Sequence, residues 1–355
     1  MLRQLISEVS HPSFNPGAPG LNQLTHGNMS LHPQIDFQAQ YDACRNACGL
    51  AIWPNRSLIE LTGEDRAKFL HSFCTNDING LQPGTGCELF ITDVKGKTLG
   101  YGIVLCLEDA LVLETAGGQA DTLITHLDRY LLREKVTIAD RSQQWTQLLT
   151  IGPKTAEIIQ AQFAVEVPPN RLEHRASEVD GHRVVVYHTD FFGSQAFGFF
   201  GPPAVIESVA RRIAVDAIAC DQKVVDTLRL EAGTPWFGRD ITADHLPQEV
   251  HRDERAISFA KGCYLGQETV ARIDALGHVN RILCGVRFAT SDIPPPGTTL
   301  KSDGKEVGAV TSAAFSPQLK AALALAYLRR GKAQPGQALD SDAGVAEVIA
   351  LPVIS

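Results

Sequence analysis

Between residues 57 and 220 one order of apolar patterns is written twice, and this repetition limits the fold more than any other feature of the chain. In the first pass residues 57–61 (SLIEL) read as a strand. Ala67, Leu70 and Phe73 then fall on one helical face. Residues 88–92 and 98–107 read as strands joined by the turn 93–97, and 111–115 as another short strand. Residues 121–132 carry Leu123, Ile124, Leu127 and Leu131 at helical spacing, and 136–139 return to strand. In the second pass 145–151 is a strand and 153–163 a helix, with Pro at its start where the missing N–H costs little. Residues 183–188 and 196–200 are strands, 203–215 a helix and 217–220 a strand. Strand, helix, strands, helix, strand, twice over, predicts an α+β protein of two related halves. Thr62-Gly-Glu-Asp65 has the form of a capping box at the first helix, with Asp in place of Glu.

The flanking segments differ in character. Residues 1–40 are rich in Pro, Gly, Asn, His and Ser, show no period and read as a tail. Order is expected from near Gly49, giving a first half over 41–144 and a second over 145–280. Residues 221–232 read as a helix with Gly233 just past its end. The irregular stretch 234–260 is long, and such loops are more often functional than idle. From 281 to 355, short β-type runs (307–312, 322–328, 345–352) alternate with turn clusters such as Pro294-Pro-Pro-Gly297, the pattern of a small all-β domain.

The formal charge of −8 argues against broad nucleic-acid binding, which needs a basic face. No apolar run approaches bilayer length, and the N-terminus lacks the apolar core of a signal peptide, so a cytoplasmic protein is expected. Eight scattered cysteines do not form a disulfide framework. Cys44 and Cys48, with three residues between them, lack the second pair or histidine that metal spacing requires, and no metal site is expected. Cys74, Cys87, Cys106, Cys220 and Cys284 lie in apolar stretches and read as core.

Cys263 differs. It stands in Phe259-Ala-Lys-Gly-Cys-Tyr-Leu-Gly-Gln-Glu268, ahead of a helix predicted over 267–273. A helix N-terminus favours a thiolate, and Lys261 adds to that if it lies on the same side. The alternative is a buried structural cysteine in a turn.

Lys261-Gly-Cys-Tyr-Leu-Gly-Gln-Glu268 resembles the defining motif of the YgfZ-type proteins. These are folate-binding proteins of the aminomethyltransferase (glycine cleavage T-protein) superfamily that assist iron–sulfur cluster assembly. Leu61-Thr-Gly-Glu-Asp65 with Phe73-Cys-Thr-Asn-Asp-Ile78 is similar to the superfamily's first half. Leu228-Arg-Leu-Glu-Ala-Gly233 with Pro235-Trp-Phe-Gly-Arg-Asp-Ile241 resembles its central segment. Val310-Thr-Ser-Ala-Ala-Phe-Ser-Pro317 resembles its C-terminal β-domain. The resemblance implies a three-domain ring, two α+β halves plus a small C-terminal β-barrel, around a central channel that binds tetrahydrofolate or a derivative.

It also implies roles. Cys263 would be the working thiol, a transient iron–sulfur cluster ligand or redox group, tuned by Lys261, with Tyr264, Gln267 and Glu268 shaping its pocket. Partners would be folate and iron–sulfur carrier or client proteins, including enzymes that modify tRNA. Neither direct nucleic-acid nor membrane contact is expected. Arg229 would contact folate carboxylates, or else form a salt bridge on its helix with Asp226 or Glu231. Asn76 and Asp77 either cap a helix or line the channel.

Where the transferases carry a catalytic aspartate, this chain has Gly100-Tyr101. Asp93, the nearest acid, reads as a turn residue. Ser194 or Gln195 stands in place of a pterin-binding glutamate. Glu114 replaces an asparagine, and either compensates in the folate site or is a solvated strand end. These departures favour an accessory protein over a one-carbon transferase.

Overall fold

The computed structural model describes residues 36–53 and 56–353. In the first half, five antiparallel strands pair in the order Thr85–Thr92, Thr98–Cys106, Ala110–Ala116, Arg56–Thr62, Thr137–Asp140. Side chains alternate between its faces, as a pleated strand requires. Ile59, Leu61, Val104, Leu111 and Leu113 meet Phe69, Leu70, Leu123 and Leu127 of the helices Arg66–His71 and Ala120–Asp128. Leu58, Ile103, Leu105 and Val112 point the other way.

The second sheet repeats this order with one insertion. It runs His174–Val179, His182–Thr189, Ala196–Gly201, Thr146–Ile151, Gly49–Ile52, Ile218–Ala219. Gly49–Ile52 slips between the strands that correspond to the adjacent first and last strands of the other half. It pairs antiparallel to Thr146–Ile151 and parallel to Ile218–Ala219. The helices Thr155–Phe163 and Pro203–Ile213 cover one face through Ile159, Ile206, Val209 and Ile213. From the other face Leu149, Ile151, Val185, Tyr187 and Phe200 enter one core with Leu58, Ile103, Leu105 and Val112. The two sheets therefore lie face to face with their helices outside.

Several expectations need correction. The helix Phe37–Asn46 begins inside the stretch read as a tail. Its N-cap Asp36 accepts the Gln38 N–H, and Tyr41, Ala43 and Cys44 are buried. Residues 1–35 of that expected tail lie outside the described residues. The capping box is not formed: the Asp65 carboxylate accepts the Lys135 N–H, and Thr62 ends a strand. The strand His174–Val179 was not legible, because an edge strand reading His-Arg-Ala-Ser-Glu-Val has little apolar alternation.

The C-terminal sheet runs Thr299–Ser302, Lys305–Ser316, Ala321–Arg329, Arg281–Phe288, Ala346–Ile349, Ala338–Leu339. Its ends meet where Lys301 and Asp340 exchange backbone hydrogen bonds of 2.8 and 2.9 Å, nearly closing a barrel. Ala321–Arg329 is apolar almost throughout because both its faces are covered. Ala322, Ala324, Ala326 and Leu328 fill the barrel. Leu323, Leu325 and Tyr327 pack outward on Ile241, Val250 and Ile257 of the irregular stretch, which also touches Phe90 and Tyr101 of the first half. That stretch is thereby held between barrel and first half.

Candidate functional site

A cavity of about 840 Å³ opens between the second half, residues 250–255 and the barrel. Its size suits a drug-sized or cofactor-sized molecule. Leu283, Leu325, Ile349 and Leu351 form an apolar wall. Facing them are Asp190, Arg252 and Arg255.

Those charges belong to a buried network centred on Glu88. Arg252 donates to both oxygens of Glu88, at 3.0 Å (Nε–Oε2) and 2.6 Å (Nη2–Oε1). Tyr101 donates its hydroxyl to Oε2 at 2.7 Å, and Arg171 also pairs with the carboxylate. Asp190 takes Arg171 Nε at 3.0 Å and Arg255 Nη1 at 2.7 Å. Burial pushes Asp190 up, but the two guanidinium groups outweigh it and hold the carboxyl below its usual range. Three arginines meet two carboxylates, leaving one net positive charge on this wall. Glu88 is fully buried, and removing one partner of such a network leaves an uncompensated charge that costs about 3–5 kcal/mol.

The cysteine loop lies elsewhere. Cys263 is exposed and is not among the residues lining the large cavity. The loop is docked on the first half. Lys261 Nζ donates to the carbonyls of His71 (2.6 Å), Cys74 (2.7 Å) and Asn76 (2.9 Å). Leu265 donates to Ser72 O, and Thr92 Oγ1 to Leu265 O. Gly266, the N-cap of the helix Gln267–Leu276, has φ +85°, and a Cβ there would sit 2.3 Å from Asp93 O. Only glycine fits both requirements.

Comparison with known families bears on this geometry. The profile of the GCVT N-terminal domain matches residues 32–261, and that of the glycine cleavage T-protein C-terminal barrel domain matches 281–353. The chain belongs to the GCVT family. An aminomethyltransferase of Saccharopolyspora erythraea is 28% identical, with 88% of this chain and 89% of that one covered. A chloroplastic protein of Arabidopsis thaliana named "Putative transferase" is 26% identical over 78% of this chain, which spans 64% of its length. The crystal structure of aminomethyltransferase T from Bartonella henselae superposes with a TM-score of 0.81 at 20% identity, covering 89% of each chain. The architecture is thus the GCVT fold, two sheet-rich domains with a near-closed C-terminal barrel.

Within this GCVT-family chain the residues singled out by sequence are dispersed. Arg229 is fully buried. It pairs with Asp226 (3.2 Å) and Asp240 (2.9 Å), donates to Thr234 O and lies over the Trp236 ring, and it does not line the cavity. The salt-bridge alternative describes it, with Asp240 in the place expected for Glu231. Glu231 instead binds Tyr41, Arg45 and Ser316. Glu114 is not a solvated strand end: it is buried, bonded to Arg56 (3.0 Å) and to the Tyr187 hydroxyl (2.7 Å) across the two sheets. Asn76 neither caps a helix nor lines the cavity, because its Nδ2 ties Glu88 O (2.7 Å) to Arg255 O (3.0 Å). Asp93 is the turn residue expected, accepting the Lys95 and Lys97 N–H groups at 2.8 Å. Ser194 and Gln195 do line the cavity.

Lys261 makes no bond to Cys263; its ammonium fastens the loop to three carbonyls of the first half. Tyr264 is buried beneath it, the ammonium 4.8 Å from the ring centroid, and burial pushes the phenol above its ordinary value. Gln267 is half-buried and Glu268 exposed in the helix's first turn. Cys284, read as core, is half-buried and lines the cavity, its thiol pushed up by burial to about 12. Among the described residues no group of three His, Cys, Asp or Glu side chains could hold a metal, and no helix is long and apolar enough to cross a membrane.

Sequence reasoning missed Glu88, Arg171, Asp190, Arg252 and Arg255. Its one pointer was that Arg252 and Arg255 fall in the long irregular stretch. It also missed Asp253, whose Oδ1 is buried without a partner among the described residues. Burial, then Asp274 and Glu254, push this acid up to about 7.

Proposed function

We propose that the protein is a folate-binding accessory protein that supports assembly or repair of iron–sulfur clusters in client enzymes, tRNA-modifying enzymes among them. The observation that carries this reading is the make-up of the large cavity. Folate joins a flat ring system to an anionic tail, and the cavity sets an apolar wall against a cationic one. Arg252 and Arg255 would receive the tail carboxylates, Leu283, Leu325 and Ile349 the apolar part, and Ser194 and Gln195 polar edges of the ring. Asp190 is the one acid among the described lining residues, and two arginines hold it ionised, so it is a poor proton carrier for turnover. Tyr101, at the position of the transferase aspartate, gives its hydroxyl to Glu88. These two features support binding over turnover.

The cluster-directed part rests on Cys263 in its Lys-Gly-Cys-Tyr motif, exposed on a loop that a three-carbonyl lysine anchor holds in place. The loop also has a physical link to the cavity. Asn76 bonds Arg255 O, Thr75 bonds Ala256 O, and Ser258 bonds Thr75 O, so helix Asp253–Ala256 and the cysteine loop hang from the same two residues.

Calorimetric titration of the purified chain with tetrahydrofolate tests the first part. Saturable binding is expected, weakened about tenfold by Arg255→Ala and unchanged by Cys263→Ala. Absence of binding rejects the folate assignment. In a strain lacking the protein, Cys263→Ala should fail to restore client-enzyme activity, and full rescue rejects the thiol's role. The second reading, a tetrahydrofolate-dependent aminomethyl or one-carbon transferase, is favoured by the relatives named aminomethyltransferase. Robust methylene transfer from an aminomethylated lipoyl carrier would put it first.

A further inference from the structure

A second cavity of about 350 Å³ lies between the outer face of the barrel and the loop carrying His245, and it shares no lining residue with the first. His245, Tyr327, Arg281 and Arg329 wall it. The His245 and Tyr327 rings are stacked, centroids 4.2 Å apart and 14° between planes. The Arg281 guanidinium lies 5.3 Å from the same tyrosine centroid.

Three donors at this cavity lack acceptors. His245 Nδ1 accepts the Thr242 N–H at 2.9 Å, which places the ring proton on Nε2 in the neutral imidazole. Burial, then Arg281, hold the imidazole below its ordinary value, so this neutral form dominates near pH 7. Nε2 has no partner among the described residues, although the residue is only 8% exposed. The buried Tyr327 hydroxyl has none either. Arg329 is exposed and unpaired among the described residues, and it stands directly opposite Arg281 in the strand pairing. Like charges placed so repel unless something neutralises them. Glu249 matches Arg281, at 3.1 Å, and leaves Arg329 unmatched. Glu306 also lines the cavity but is exposed, and the Thr311 hydroxyl is committed to Asp240 and Leu325 O.

We propose that this cavity binds a small oxyanion, the phosphate or carboxylate group of a metabolite, between Arg329, His245 Nε2 and the Tyr327 hydroxyl. Glu306 is the one acid among the described lining residues and it is exposed, whereas an oxyanion matches the unpaired donors that Arg329, His245 and Tyr327 carry.

Calorimetry on the purified full chain, titrated separately with inorganic phosphate and with acetate at constant ionic strength, tests this. Saturable binding of one anion, abolished by Arg329→Ala, is expected, and whichever anion binds identifies the group recognised. Tyr327→Phe keeps the ring stack. It should weaken binding about tenfold while leaving the melting temperature without anion unchanged or raised, because it removes an unpaired buried hydroxyl. A purely structural tyrosine would give the opposite, a lower melting temperature and unaltered affinity. That pattern, or no saturable binding of either anion, overturns the proposal.

Discussion

Glu88 meets Tyr101, Arg171 and Arg252 from three separated parts of the chain, while Asp253 meets only like charge. Glu88 is fully buried among those partners, whereas Asp253 is half-buried and its Oδ1 has no partner among the described residues. Asp253 has a folded-state pKa of about 7, above its ordinary value of 3.8. The folded protein thus holds a proton that the unfolded chain releases. Its contribution to stability is complete below about pH 4 and is lost as pH rises towards 7. Asp253→Asn cannot ionise. Its melting temperature should therefore match the parent near pH 4 and exceed it by several degrees near pH 8. A gap that stays constant across that range would show that the acid does not titrate in the window.

At the scale of elements, the cysteine loop is the instructive case. Its helix was expected over 267–273 and is found at Gln267–Leu276 with a glycine N-cap. The motif's glycine and lysine were legible as residues, but their roles were not. Gly266 admits the Asp93–Lys97 turn, whose Gly96 Cα would lie 2.9 Å from an added Cβ. Gly266→Val places a branched side chain at positive φ against that backbone, at a cost of about 2 kcal/mol or more. Faster amide exchange at Leu265 and Gln267 is expected, with exchange inside Ala196–Gly201 unchanged. Equal protection in both proteins would mean that the loop is held without this contact. Strands with apolar alternation were legible in the same way, because burial of one face imposes period two. His174–Val179 was not, since its neighbours are chosen by pairing rather than by composition.

At the scale of the molecule, Gly49–Ile52 decides how the ends of the chain are used. In sequence it precedes every strand of the first sheet, yet it bridges two strands of the second. The helix before it brings Arg45 and Tyr41 to Glu231, and Ser316 of the barrel reaches the same carboxylate. A chain beginning after Trp53 should lose this strand and helix, exposing Leu50's partners in the second core. Near-UV circular dichroism and limited proteolysis should report a second half without fixed packing. Native-like spectra and resistance would show that the inserted strand is dispensable.

Sequence alone determined most of the strands and helices between residues 57 and 220, the twofold repeat and the motif around Cys263. Those follow from local periodicity and from residue types that a turn or a helix end demands. The tertiary structure alone decided that Arg229 and Glu114 are buried ties, that Lys261 anchors its loop, and that the charged network beside the cavity comes from Glu88, Arg171, Asp190, Arg252 and Arg255. A guanidinium reads the same in sequence whether it faces a cavity or a buried carboxylate. Only the sheet order and the docking of the irregular stretch bring one to each.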